Sequence, residues 1–178
     1  MPSLNGSPLD PSSLGRLAHS RPRSGFGRRW AGRPGSGWLC FSEDGARTWS
    51  APVPLPCDRG EPLESSATGS AFFRCLRTGA LYWMGNLCPE GQRPRGNYPR
   101  VPLVAAQVQE EPLALKRDTL FVIGDRQEGE PPEVQMSNFR FYQDRTSGDL
   151  VVFVTRYAER SARDWMLADY YRYRVAMP

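Results

Sequence analysis

From Trp38 to Pro178 the chain is a succession of short aromatic and β-branched runs, each cut off by a turn signal before it reaches the length of an ordinary helix. Gly37 to Ser42, Ser70 to Cys75, Ala80 to Gly85, Leu103 to Val108, Leu120 to Ile123, Val134 to Tyr142 and Asp149 to Arg156 are strand candidates on this ground. Tyr170-Tyr-Arg-Tyr-Arg-Val175 alternates cleanly, as a half-buried strand does, and closes the chain. Only Ala158 to Ala168 offers a helical period. The expectation is an all-β, mostly antiparallel fold.

The pattern also contains an echo. Leu76-Arg-Thr-Gly-Ala-Leu81 and Asp144-Arg-Thr-Ser-Gly-Asp-Leu150 each join an aromatic-rich strand to an apolar one, and their glycines, Gly79 and Gly148, lie 69 residues apart. Two hairpins with the same turn chemistry suggest repeated β units, while Thr-Gly and Ser-Gly are also common turn formers in their own right.

Residues 1–37 have a different texture. Gly, Pro, Ser and Arg dominate, and the segment carries six arginines against one acid, Asp10. It has too little apolar surface to offset its ordering entropy, so it reads as a disordered tail. The net charge of +4 therefore belongs to the tail. Residues 38–178 hold 17 basic and 18 acidic side chains, which argues against a nucleic-acid-binding body. No apolar run is long enough to span a bilayer as a helix, and the first thirty residues lack the apolar core of a secretory signal. These features point to no membrane partner. The one histidine, His19, lies in the tail, and Cys40, Cys57, Cys75 and Cys88 are 17, 18 and 13 residues apart with no CxxC pair. No metal site and no cofactor is expected.

Ser42-Glu-Asp-Gly-Ala-Arg-Thr-Trp49 is the most specific stretch. Asp44 and Gly45 suit a tight turn in which the carboxylate accepts backbone N–H bonds and glycine takes a positive φ. Ser42 and Thr48 can close that turn with their hydroxyls, and Trp49 offers an apolar body to pin it to a sheet. The stretch resembles the Asp box, S-x-D-x-x-x-T-W with a central glycine, of the sialidase (neuraminidase) superfamily, also called the BNR repeat. Gly-Ala stands where Gly-Gly is commoner. The resemblance extends over about residues 37–178, with Gly85-Asn86, Arg95-Gly-Asn-Tyr-Pro-Arg100, Ser137-Asn-Phe-Arg-Phe-Tyr142 and Thr155-Arg-Tyr157 similar to bacterial exo-sialidase-like proteins.

The resemblance implies β-propeller blades and an exo-alpha-sialidase type of glycoside hydrolase acting on a terminal sialic acid or related acidic sugar. A blade takes roughly 40–50 residues, so residues 38–178 would form about three, the C-terminal part of a longer propeller. In such enzymes arginine forks grip the sugar carboxylate, a tyrosine activated by a glutamate attacks, and an aspartate serves as acid/base. Carried onto this chain, Arg95, Arg100 and Arg156 would hold the carboxylate, with Asn86 and Tyr98 beside them. Tyr157 would attack and Glu64 would activate it. Aligning the turn on Gly79 places Asn86 on the family's Asn, but Gly85 where the family has a substrate Arg and Ser70 where it has a Glu. The competing reading is a non-catalytic propeller module that binds glycan or protein, with Trp83, Tyr98 and Trp165 on its binding face. Each arginine also has a plainer reading, as a solvated turn or strand-end charge, and Tyr170, Tyr171 and Tyr173 as cross-strand packing.

Overall fold

The computed structural model describes residues 35, 37–61 and 63–178; the tail expected over residues 1–37 lies outside them apart from Gly35 and Gly37. The described residues hold ten strands: β1 (Trp38–Leu39), β2 (Val53–Pro54), β3 (Ala71–Arg74), β4 (Leu81–Asn86), β5 (Leu103–Gln109), β6 (Ala114–Leu115), β7 (Phe121–Gly124), β8 (Gln135–Gln143), β9 (Leu150–Tyr157) and β10 (Tyr170–Val175). A single 3-10 turn, Arg117–Thr119, interrupts them. The fold is all-β, and every longer strand falls where alternation and turn signals place it. Ala158 to Ala168 is a correction: its apolar residues sit in bends and turns, the segment having no second element to bury a helical face.

Strands pair with their neighbours in sequence. β1 and β2 form a two-stranded ladder. In the central sheet β3, β4 and β5 run antiparallel, and the free edge of β5 is shared by β7 along Leu103–Ala105 and β6 along Val108–Gln109. β8, β9 and β10 form a third, separate antiparallel sheet, and none of the three closes on itself.

Alternation along the strands sorts the core into two layers. Phe73, Tyr82, Met84, Leu103 and Ala105 leave the central sheet on one face and meet Met136, Leu150, Val152 and Val154 of the third sheet. Leu81, Trp83, Val104, Ala106 and Val108 leave it on the other face and meet Leu39, Leu55 and Leu115. The order is thus hairpin, central sheet, third sheet, with the central sheet covered on both sides. Its strands are accordingly apolar on both faces, and all six residues of β4 are buried.

The echo is a geometric repeat. In the first turn Gly79 N–H bonds Cys75 O at 2.8 Å and Cys75 N–H bonds Ala80 O at 2.9 Å. In the second, Gly148 N–H bonds Asp144 O at 2.7 Å and Asp144 N–H bonds Asp149 O at 2.9 Å. Gly79 and Gly148 share a left-handed φ of 70° and 75°, which a side chain would strain. An offset of 69 residues thus superposes the β3–β4 hairpin on β8–β9. It maps Phe73 on Tyr142, Tyr82 on Val151 and Met84 on Phe153, and both Phe73–Tyr82 and Tyr142–Val151 are directly paired across their hairpins. The two turns also touch: Arg77 donates to Ser147 O and, at 3.0 Å, to Met177 O, while the Gln143 amide oxygen accepts from Leu76 N–H at 2.8 Å.

Candidate functional site

The Ser42–Trp49 turn has the bonding that its residues predict. Asp44 Oδ1 accepts from the N–H groups of Arg47 (3.0 Å) and Thr48 (2.9 Å) and from Ser42 Oγ (2.9 Å), while Oδ2 accepts from Thr48 Oγ1 at 2.6 Å. Ser42 Oγ in turn accepts from Ala46 N–H at 2.7 Å. Gly45 and Ala46 both have φ of 70°, so the position where Gly-Gly is usual bears the strain of a Cβ in Ala46. The Thr48 hydroxyl and N–H, then Ser42 and the Arg47 N–H, hold the Asp44 carboxyl down to about 2 against the opposing effect of desolvation. Trp49 is 38% exposed, so it pins the turn less completely than its size suggests; the apolar load falls on Leu39 and Leu55.

At the end of the sheets opposite the paired turns, the candidate residues gather. Asn86 ends β4 with no exposed surface. Its Nδ2 donates to Arg100 O (2.8 Å), Met136 O (2.9 Å) and, more weakly, Pro102 O (3.4 Å), so one amide ties three segments together. Its Oδ1 is buried without a hydrogen-bond partner. Ser65 Oγ donates to Asn86 O at 2.8 Å and Ser66 Oγ to Pro99 O, which fastens the Glu64–Ser66 segment to the same knot. The buried Oε2 of Glu64 has no hydrogen-bond partner, and the carboxylate lies near Cys88, whose thiol is pushed up to about 11 by burial first and by Glu64 second.

Arg95 to Arg100 forms the rim. Arg95 and Tyr98 exchange backbone bonds of 2.7 and 3.1 Å across a tight turn with Gly96 at φ 60°, and both side chains are exposed. The Tyr98 hydroxyl donates to Pro132 O. Arg100, half-buried, donates through Nη1 to Ser137 Oγ at 3.1 Å, and the Asn97 amide, turned to suit its neighbours, takes Nη2 at 3.1 Å. Arg100 also pairs along the backbone with Gln135, which is the partner of Tyr157 across β8 and β9. Two non-glycine residues in left-handed conformation flank this end: Asn138 (φ 57°) in the β8 bulge and Ala158 (φ 59°) just beyond Tyr157. Such backbone is concentrated at functional sites.

Arg156 is 3% exposed and points between the sheets. Its fork is filled by Glu130, which Nη2 meets through both carboxylate oxygens, and Nη1 donates to Asp125 O (3.0 Å) and the Tyr173 hydroxyl (3.2 Å). Glu159 Oε2 stands 3.8 Å from Nε, and the guanidinium lies 5.5 Å from the Tyr171 ring centroid. Burial would raise the Glu130 pKa; the bonds from Arg156 and the Gln127 N–H outweigh it and leave the group lowered. Tyr171, donating to Glu159 at 2.7 Å, is pushed up to about 12 mainly by that bond.

The arrangement therefore brings Asn86, Tyr98, Arg100 and the Glu64–Ser66 backbone together, with Arg95 on the same rim. Arg156 and Tyr157 adjoin them through Met136 and Gln135, yet Arg156 is committed to Glu130, and the Tyr157 ring packs on Trp165 at 5.4 Å. Glu130 is the residue that sequence reasoning misses. In Asp125 to Val134 nothing distinguishes it from Glu128 or Glu133, because its role depends on Arg156, 26 residues away. Trp83, expected on a binding face, is corrected: it is 2% exposed and fills the layer under the hairpin. A Cβ built on Gly85 would lie 2.5 Å from the Trp83 ring and 3.1 Å from Ser70 Cβ. Gly85 and Ser70 are thus neighbours in space, and the indole occupies the room a Gly85 side chain would need. Among the described residues no group of three His, Cys, Asp or Glu could hold a metal ion. No protein-family model matches the chain, and no curated protein and no solved structure matches it either.

Proposed function

We propose that the chain is a sialidase-like Asp-box module that binds a terminal sialic acid or a related acidic sugar at the Arg95–Arg100 rim, its sheets being propeller blades. The Asp44 turn carries this reading, since Ser42, Asp44, Thr48 and the left-handed pair Gly45–Ala46 all take the parts the motif assigns them. Support for an acidic ligand comes from the exposed Arg95 and the half-buried Arg100, planar cations suited to a carboxylate, with the Tyr98 ring between them as a sugar platform. Binding without turnover fits better than hydrolysis, because Glu130 occupies Arg156 and Trp165 packs on Tyr157.

The hydrolase reading keeps Tyr157 as nucleophile and Glu64, with its unpartnered Oε2, as its activator. Saturation-transfer NMR with N-acetylneuraminic acid, beside a fluorogenic sialic acid conjugate, separates the two. Saturation transfer that Arg95→Ala and Arg100→Ala both weaken, with no fluorophore released, is the expected result. Release of fluorophore that Tyr157→Phe abolishes would favour the hydrolase. Absence of transfer and of turnover would refute both.

A further inference from the structure

The 69-residue repeat extends from the two hairpins to the strand that follows each. Met84 pairs with Ala105 of β5, and its counterpart Phe153 pairs with Arg172 of β10; Asn86 pairs with Leu103, and its counterpart Thr155 with Tyr170. β10 thus stands in the third sheet where β5 stands in the central sheet. The two strands differ at their outer edges. On β5, Leu103, Val104 and Ala105 take Gly124, Val122 and Phe121 of β7 as a fourth strand. Further along, Gln107 O accepts from Lys116 N–H and Gln107 N–H donates to Thr119 Oγ1, each at 2.9 Å. Leu103, Val104 and Ala105 are accordingly 0%, 1% and 0% exposed. On β10 no strand among the described residues occupies that edge. Tyr170 and Tyr171 are 61% and 37% exposed, and Arg172 is exposed with no ion pair among the described residues. Asp169 O accepts from Arg156 N–H, so alternation turns the N–H and C=O groups of Tyr170, Arg172 and Arg174 away from β9 and onto the open side.

We propose that this edge is a strand-addition site, which takes an extended segment of a partner protein, antiparallel to β10, with an acidic residue opposite Arg172. The repeat supplies the place and the direction, since β7 runs antiparallel to β5 at the equivalent positions. Unpaired backbone groups along an edge supply the affinity on which such additions rest, and side chains at alternate positions supply the choice of partner. Charge supplies the sign. Arg172 is the counterpart of Ala105, whose neighbour on the fourth strand is Phe121, so the residue at that place in an added strand meets a guanidinium. A second β10 would bring Arg172 and Arg174 to a seam with their own kind. Residues 1–37, with six arginines against one acid, carry the same sign.

The probe is a synthetic peptide copying residues 119–126 with Phe121→Glu, which sets its acid opposite Arg172. Amide exchange of the full chain, read by NMR during titration to about 1 mM peptide, tests the assignment over a range that covers weak complexes. In the chain alone the N–H groups of Tyr170, Arg172 and Arg174 are expected to exchange freely. Saturating peptide is expected to slow them about tenfold or more, as new backbone bonds do. Tyr171 and Tyr173, already turned to β9, are expected to stay unchanged. The same peptide with Phe121→Lys is expected to bind about fivefold more weakly, the scale of a cross-strand charge pair turned to repulsion. Arg172→Glu, at an exposed position, is expected to reverse that order. Slow exchange along the edge before any peptide is added would overturn the proposal, the edge then being covered by this chain or a second copy of it. Unchanged exchange at the highest peptide concentration would overturn it as well. Equal binding of the two peptides, whatever the charge at position 172, would overturn the acidic partner.

Discussion

Replacing Arg156 with methionine isolates the largest buried electrostatic commitment in the described residues. The wild-type guanidinium satisfies Glu130, Asp125 O and the Tyr173 hydroxyl from a position 3% exposed. Removing it leaves the Glu130 carboxylate, 16% exposed, beside a thioether instead of a cation. Breaking a buried pair on one side costs about 3–5 kcal/mol. Glu130 retains some water, so the lower part of that range applies, about 3 kcal/mol. In a chain of this size that lowers Tm by roughly 6–12 °C. The double variant Arg156→Met/Glu130→Gln removes both charges and is expected to recover about half the loss, because the orphaned carboxylate is then gone. The pH dependence has a definite sign. Glu130 is lowered in the folded chain, so its contribution is present above its unfolded value near 4.5 and disappears as pH falls through the lower folded value. Urea melts at pH 7 and pH 3 should therefore show the gap between wild type and Arg156→Met narrowing at the lower pH. A loss below about 1 kcal/mol at pH 7 would refute the reasoning, since exposed pairs reach only that magnitude. A gap that widens on acidification would refute it too.

Gly85→Ala should destabilise by about 1–3 kcal/mol, the usual cost of overpacking, because its Cβ would meet the Trp83 ring at 2.5 Å; Trp83 fluorescence should shift with it. Asn86→Leu removes two well-formed bonds, while Arg100 O keeps the Met136 N–H and Pro102 O the Leu87 N–H, so a loss of about 1–3 kcal/mol is expected by chemical denaturation. Asp44→Asn should loosen the Ser42–Trp49 turn, read as faster amide exchange at Arg47 and Thr48. In the wild type the same loosening should set in only as pH falls towards 2, since a lowered carboxyl keeps its bonds until it is protonated.

The regular parts of the fold were legible because each strand announces itself locally. Tyr170–Val175 alternates, Leu150–Val154 is a mostly buried apolar run, and the two Thr/Ser-Gly turns place the strands of their hairpins to within one residue. The short strands β2 and β6 were not legible, since Val53-Pro54 and Ala114-Leu115 pair only through partners brought by the rest of the chain. The site was legible in part. Asp44 and its turn are a local device, whereas the contacts of Asn86 with Arg100 and Met136 join segments that sequence reasoning had not placed together. The commitment of Arg156 could not be read, because a guanidinium free to grip a ligand and one gripped by Glu130 are the same letters. Trp83 shows the converse: an aromatic at a strand centre belongs to whichever layer covers that face, and here Leu39 and Leu55, 44 and 28 residues before it, supply that layer.

The local pairing of the strands has a consequence for how the chain reaches this state. Each ladder of the central and third sheets closes through a loop of modest length, so neither sheet needs the other to begin pairing. What joins them is long in sequence: Arg77 to Ser147 and Met177, Gln143 to Leu76, and Asn86 to Met136. These fasteners sit at opposite ends of the strands, the paired turns at one and the Asn86 knot at the other. Two hairpins that have formed independently can therefore dock in only one register, and the chain entropy of that last closure is what the two end clasps must overcome together.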